Sequence, residues 1–482
     1  SLLGLGDDND DGGGHNYPYR CNVHTTCSLT LVHPNDLPRD QITWQRLARP
    51  KEKRKKRKSK ANPDTDPPIQ ATTNDNGNNN SYSTAITNIS PSRFVGMPTI
   101  MGDFRRVART TSSAPIRELL DEPQPQCIAR DFSRLENSSN NNENSMGEIP
   151  SLEELSQPLL DSTLPLLGCL PEELIRKLVK SANEMPRDNY VDVEEQSIRQ
   201  LRNFVQNHAA SANRSLCDVS NNDSSKLSIP LAVGTLSPQQ VYHCVKQQQK
   251  KLDESQDENI STTANNPSDL NWLISHMEMR DFFLFDSFRH GPSAYRLHPT
   301  SQPAHKPNLP RQWLPLSSEN RDQFSRWACG HTNLPLVDAG MNELLTTGYV
   351  SNRVRQNVAS VLAKDLKLDW RLGAEFYQLC LEDHCVAANF GNWIYFSGVG
   401  GDPKSRHFRT VSQAARYDPD NGSYVRNWVS GLRYCDDVEA VLRPWDFRED
   451  WGVPIVPPET QLTWQDREKL EKTGRVSDLR TC

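Results

Sequence analysis

Long apolar runs are missing from this sequence. No stretch of about 18 apolar residues occurs in its 482 positions, so no membrane-spanning helix is expected. Apolar residues are scarce in general: they make up 35% of the chain, against roughly 45–50% in ordinary globular domains. That deficit points to long polar segments beside a folded region. An excess of basic charge is also missing. The net charge is −6, so any nucleic-acid contact must come from a local basic patch. The 11 cysteines are odd in number and lack CxxC pairs, which argues against a disulfide scaffold or zinc ribbon and for a reducing compartment. No signal-peptide pattern follows Ser1, and the absence of an initiator Met suggests that the true N-terminus is not in this sequence.

Tryptophan is nearly absent from the first half. Only Trp44 precedes Trp272, and nine of the 10 tryptophans lie at or after it. Large aromatics mark packed cores, so the dense fold is expected at the C-terminal end.

The first half alternates short ordered-looking pieces with low complexity. Residues 1–15 are Gly/Asp-rich, residues 51–60 (KEKRKKRKSK) are basic, and residues 73–92 and 136–145 are Asn/Ser-rich. Such compositions cannot bury enough apolar surface to offset chain entropy, so disorder is expected there. The basic run reads as a solvated insertion, with a nuclear localisation signal or a nucleic-acid arm as the functional alternatives. Between these segments, LTLVHPNDLP (residues 29–38) resembles a strand entering a turn, and MPTIMGDFRRV (residues 97–107) the start of a helix.

Helical periodicity dominates further on. Ile198, Leu201 and Val205 are spaced i, i+3, i+7, and Val354, Val358, Val361 and Leu362 are spaced i, i+4, i+7, i+8. No alternating strand pattern of useful length follows residue 190 or so. The C-terminal part therefore reads as an all-α domain.

Four groups of residues could carry chemistry. SSKLS (Ser224, Ser225, Lys226, Leu227, Ser228) puts hydroxyls and a cation in one loop, a composition that suits a pyrophosphate but also an ordinary turn. Asn352 and Arg355 share a helix face by their spacing, which alone reads as a surface pair. Trp313, Trp370 and Trp393 are oxidisable indoles that, taken singly, are core residues. His384 and Cys385 are adjacent, but two neighbouring ligands with no clustered partners make a poor metal site, so no metal is expected.

Residues 327–428, from WACGHTNLPLVDAGMNELL through GYVSNRVRQNVAS, DWRLG and VAANFGNW to YVRNW, resemble the flavin-binding half of the photolyase/cryptochrome family, and within it the DASH-type cryptochromes most closely. The resemblance is dense over residues 190–432 and patchy over 25–187. It implies an α+β chain: a C-terminal all-α FAD-binding domain preceded by a partial, Rossmann-like α/β antenna domain. The expected boundaries are residues 1–127 for the antenna remnant, 128–187 for a linker, 188–455 for the helical domain and 456–482 for a tail. The opening strands of the antenna sheet have no counterpart, which argues against an antenna folate.

The resemblance also implies roles. Ser224, Ser225, Lys226, Leu227 and Ser228 would hold the FAD phosphates. Asn352, Arg355, Asp383, Cys385, Asn389 and Arg280 would surround the cofactor, with Arg355 paired to Asp383 and Asn389 facing flavin N5. Trp393, Trp370 and Trp313 would relay electrons, in that order outward. His276, Met279, Arg280 and Asn352 would meet the substrate, expected to be DNA, preferably single-stranded, carrying a cyclobutane pyrimidine dimer. A monomer without membrane contact is implied. Three departures stand out in this sequence. Cys385 replaces the second Asp of a D-x-D pattern, and Ile229-Pro230 replaces a Pro-aromatic pair. In WLISHMEMRDFF, His276 and Met279 stand where the photolyases carry a Glu and a Trp, which argues against efficient repair. A blue-light receptor that repairs nothing, and a remnant that no longer holds flavin, remain as alternatives.

Overall fold

The computed structural model describes residues 97–111, 170–172, 174–176, 193–210, 225–254, 270–297, 313–400, 407–418 and 422–480. The stretch around LTLVHPNDLP, the basic and Asn-rich segments and Ser224 lie outside the described residues.

Helix dominates what is described. The first helix, α1 (Met101–Thr111), forms where the MGDFRRV pattern places one. It is followed by α2 (Val193–Ala210), the short α3 (Ser228–Val233), α4 (Pro238–Glu254) and the long α5 (Asn271–His290). Then come α6 (Arg321–Ala328), α7 (Pro335–Thr347), α8 (Asn352–Ser360), α9 (Trp370–Cys380) and α10 (Val386–Ser397). The last are α11 (Thr410–Tyr417), α12 (Ser423–Trp428), α13 (Val438–Leu442) and α14 (Trp464–Thr473). Among the described residues the extended pairing is a single parallel bridge between Leu314 and Leu368.

Local sequence sets several of these boundaries. The Ser351 hydroxyl accepts the Val354 N–H and starts α8; the Asp369 carboxylate accepts the Arg371 N–H and starts α9. After Ser360 the α8 path widens into a π-helical turn, Val361–Asp365. That turn keeps Val361 and Leu362 buried along with Val354 and Val358, the four residues whose spacing marks the apolar face.

The main core joins α6 to α12 around Trp327, Trp370 and Trp393. A second cluster, built on Leu201, Val205, Leu227, Val241 and Leu273, joins α2, α3, α4 and the start of α5. A third packs Phe104 and Val107 of α1 on Phe282, Phe283 and Phe285 of α5. The domain is thus divided into linked cores, as its length requires. Three residues of the Pro/Leu/Glu-rich stretch expected as linker, Leu170, Leu174 and Ile175, are buried in the main core. That stretch is therefore partly an element of the domain. The segment after residue 456 also packs: Val476 and Leu479 are fully buried, and Asp466 pairs with Arg416 of α11 at 2.5 Å.

Candidate functional site: a cofactor cradle between helices

The loop before α3 carries the hydroxyls and the lysine of the SSKLS motif. Leu227 is its anchor, buried in the second core, and it holds the polar residues beside it in place. Lys226 adopts φ 49°, a left-handed turn that a non-glycine residue rarely takes. The Ser225 carbonyl accepts the Gln200 side-chain amide of α2 at 2.9 Å. The Ser228 hydroxyl is buried and makes no hydrogen bond within the protein. A buried hydroxyl without a partner costs free energy unless a ligand supplies one.

One ring joins this loop to α8. The Lys226 ammonium lies 5.9 Å from the centroid of the Tyr349 ring, and the Arg355 guanidinium 6.0 Å from the same centroid. The loop and the start of α8 therefore belong to one region. Arg355 is fixed there from two sides. Its Nε donates to the Val350 carbonyl at 2.7 Å, and its Nη2 reaches both oxygens of Asp383 at 3.1 and 2.8 Å. The Asp383 side chain is 3% exposed, so this is a desolvated pair whose geometry is set by charge-assisted bonds. Asn352, one helical turn earlier, is exposed.

The turn from α9 to α10 brings in the remaining residues. Cys385 sits at the N-cap of α10, and its carbonyl accepts the Asn389 N–H at 2.8 Å. The Asn389 side chain is buried, and its Nδ2 donates to the Ala374 carbonyl at 2.8 Å. That bond fixes which way the amide faces. Its oxygen is left as an acceptor for an N–H, the role expected opposite a flavin N5. His384 points two buried ring nitrogens at no hydrogen-bonding partner, and burial lowers its pKa although Asp383 opposes the shift.

Trp393 follows Asn389 by one turn of α10. Its ring lies against Gly373 of α9 so closely that a Cβ there would come within 2.1 Å of Trp393 Cη2. Trp370 is one turn before Gly373, with its Nε1 donating to the Leu297 carbonyl at 3.2 Å. Trp313 reaches the same place through the backbone, because the bridge at Leu314 docks it beside Leu368. The Trp313 indole N–H is buried without a partner. Trp393 thus stands on α10, Trp370 at the start of α9 and Trp313 beside the isolated bridge, while the indole in ring contact with Trp393 is Trp327 at 6.2 Å. Trp313 is the most exposed of them at 8%, though it remains buried.

The fourth group divides. His276 is open to solvent and edge-on to Trp272 at 5.0 Å. Surrounding protein lowers its pKa, and the Arg105 charge lowers it further. Arg280 donates to the Leu231 carbonyl of α3 at 3.1 Å, tying α5 to the helix that follows the SSKLS loop. Met279 packs on the α1 interface with Phe104 and Phe282. Sequence reasoning missed the neighbour that organises this interface. Glu278, with a side chain 4% exposed, receives Arg105 at 2.8 Å and Arg109 at 2.5 Å. The i, i+4 spacing of the two arginines was its visible trace. Tyr349 was missed as well, although it lies within the quoted GYVSNRVRQNVAS.

The donors present suit a bent dinucleotide. Among the described residues the Ser228 hydroxyl is buried without a hydrogen-bond partner, Lys226 stands two positions before it, and the Arg355–Asp383 pair and the Asn389 amide are held in fixed positions. Among the described residues, no three His, Cys, Asp or Glu side chains cluster as metal ligands would.

Comparison with known proteins agrees. Residues 272–456 match the family model of the FAD binding domain of DNA photolyase. A Cryptochrome DASH from Danio rerio is 41% identical over 223 residues, covering 46% of this chain and 38% of that protein. One from Synechocystis sp. is 38% identical over 237 residues, covering 48% and 44%. A crystal structure of a Synechocystis cryptochrome is 31% identical and covers 57% of this chain and 55% of that one, with a TM-score of 0.46. The chain spans less than half the length of these two curated relatives. Its helical part is an FAD-binding domain of the photolyase type, similar at about 40% identity to the matching part of DASH cryptochromes.

Proposed function

We propose that this protein uses blue light to drive electron transfer to cyclobutane pyrimidine dimers in DNA, preferably single-stranded. The observation that carries the reading is the succession Asn389, Trp393, Gly373 and Trp370, which sets an oxidisable indole one turn from the flavin-side amide and a second one turn further. FAD, when bound, supplies light absorption and one-electron chemistry. The protein's own residues do the rest. Ser225, Lys226 and Ser228 bind the phosphates. The Arg355–Asp383 pair holds charge at the ring edge, and the Asn389 oxygen accepts a ring N–H without adding a negative charge. Trp393, Trp370 and Trp313 conduct electrons inward. A lesion must leave its stack to reach such a pocket, which costs least in single strands.

His276 and Met279 favour a second reading, a light receptor that binds FAD and repairs nothing. A Met in place of a Trp forfeits a stacking face worth about 1–3 kcal/mol per base. The two readings separate in one assay. Protein with fully reduced flavin is illuminated with single-stranded DNA carrying dimers. Loss of dimers supports repair, and their persistence leaves the receptor reading. In the latter case His276→Glu with Met279→Trp is expected to raise repair, provided that α1 yields room for the indole.

A further inference from the structure

Aromatic packing around Trp393 continues beyond the three indoles. The Tyr377 ring stands edge-on to Trp393 at 5.3 Å, and Trp327 lies 6.2 Å from Trp393 and stacks on Tyr377 at 6.4 Å. A phenol gives up an electron readily only when its proton has a base to go to. The Tyr377 hydroxyl is buried and has no hydrogen-bond partner. The Trp327 indole N–H donates to the neutral Val358 carbonyl at 3.1 Å. Tyr424 of α12 differs. Its hydroxyl donates to Oε2 of Glu343 on α7, and both residues are 2% exposed. Burial raises the pKa of both phenols; at Tyr424 the Glu343 charge raises it further, while at Tyr377 the Arg355 charge opposes the rise and Cys380 and Glu343 add to it.

We propose that Tyr424 and Glu343 form a second electron-donor terminus, reached from Trp393 through Tyr377 and not through Trp370. The proposal rests on the light-driven reading above, in which Trp393 loses one electron to the bound flavin on illumination. The Trp393 indole radical cation then takes one electron from Tyr424. The phenolic proton of Tyr424 passes along the existing hydrogen bond to the Glu343 carboxylate. The products are a neutral indole, a neutral phenoxyl radical and a carboxylic acid, so charge and electrons balance. Tyr377 bridges the gap without keeping the hole, because its phenol has no base for its proton, whereas Trp327 exchanges the hole with Trp393 as one indole with another. Burial shields the phenoxyl radical from reductants in solution, so the separated charge persists.

The test uses FAD-loaded full-length protein carrying Trp370→Phe, which closes the outer route. A laser flash is followed by transient absorption and by paramagnetic resonance with ring-deuterated tyrosine. A tyrosyl radical is expected, forming more slowly in D2O. Its yield is expected to fall at least about tenfold in Tyr424→Phe and in Glu343→Gln, a change of roughly 1.4 kcal/mol in the competing barriers, and to survive in Tyr377→Phe. Thermal unfolding of each variant checks that the fold is kept. A Trp393 radical with no tyrosyl signal, or a tyrosyl signal that outlives Tyr424→Phe, overturns the second terminus alone. No tryptophan radical at all overturns the light-driven reading, and this terminus with it.

Discussion

Asp383 and Gly373 show how single residues set this site. Asp383 is buried and meets Arg355 at 2.8 Å. Asp383→Asn would leave a largely buried guanidinium without its counter-charge, at about 3 kcal/mol. We expect a lower melting temperature in flavin-free protein and weaker retention of FAD in equilibrium dialysis. Unchanged retention would remove the pair from the cradle. Gly373 allows Trp393 to lie against the backbone of α9, and an added Cβ would also come within 2.6 Å of Leu362. Gly373→Ala is expected to cost about 1–3 kcal/mol by overpacking. It should slow light-driven reduction of FAD as well, because the indole must shift. The Arg355–Asp383 pair was legible beforehand only through the family resemblance, because the spacing of Asn352 and Arg355 alone reads as a surface pair and a single Trp as a core residue. The Glu278 cluster was not legible, since its partners lie 169 and 173 positions away and chain separation erases local pattern. Nor was the bond between Tyr424 and Glu343, which are 81 positions apart.

At the scale of elements, periodicity located α2 and α8 well. Leu201 and Val205 are 2% and 1% exposed, as one helical face requires. Leu170, Leu174 and Ile175 also enter the main core, and the spacing of Leu167, Leu170, Leu174 and Leu178 (i, i+3, i+7, i+11) is a helical face that the linker reading passed over. Periodicity was silent on the end of the chain, which docks by the buried Val476 and Leu479 and by polar groups as well. Burial would raise the Glu439 pKa, but the N–H groups of Val476 and Ser477 and the Arg443 guanidinium outweigh it and hold the carboxyl below its usual range. A depressed carboxylate stabilises the fold above its unfolded pKa of about 4.3 and loses that contribution as pH falls through the folded value. Glu439→Gln should therefore destabilise the protein at neutral pH by about 1–3 kcal/mol and flatten the acid limb of its stability curve. Thermal unfolding against pH reads both effects; parallel curves for the two proteins would refute the assignment.

At the scale of the whole molecule, the described part is a helical domain with three linked cores, and the cradle lies where the first two meet. The SSKLS loop hangs from the second core by Leu227, while Arg355, Asn389 and Trp393 stand on the helices of the main one. Cofactor binding should therefore couple the cores and raise the melting temperature with FAD concentration, as any ligand of the native state does. The absorption spectrum of the purified chain, recorded in darkness and after blue illumination, tests the central claim most directly. The account predicts yellow protein with flavin bands that bleach under light in the presence of a reductant, and bleach more slowly in Trp393→Phe. Folded protein that stays colourless after incubation with FAD would contradict it.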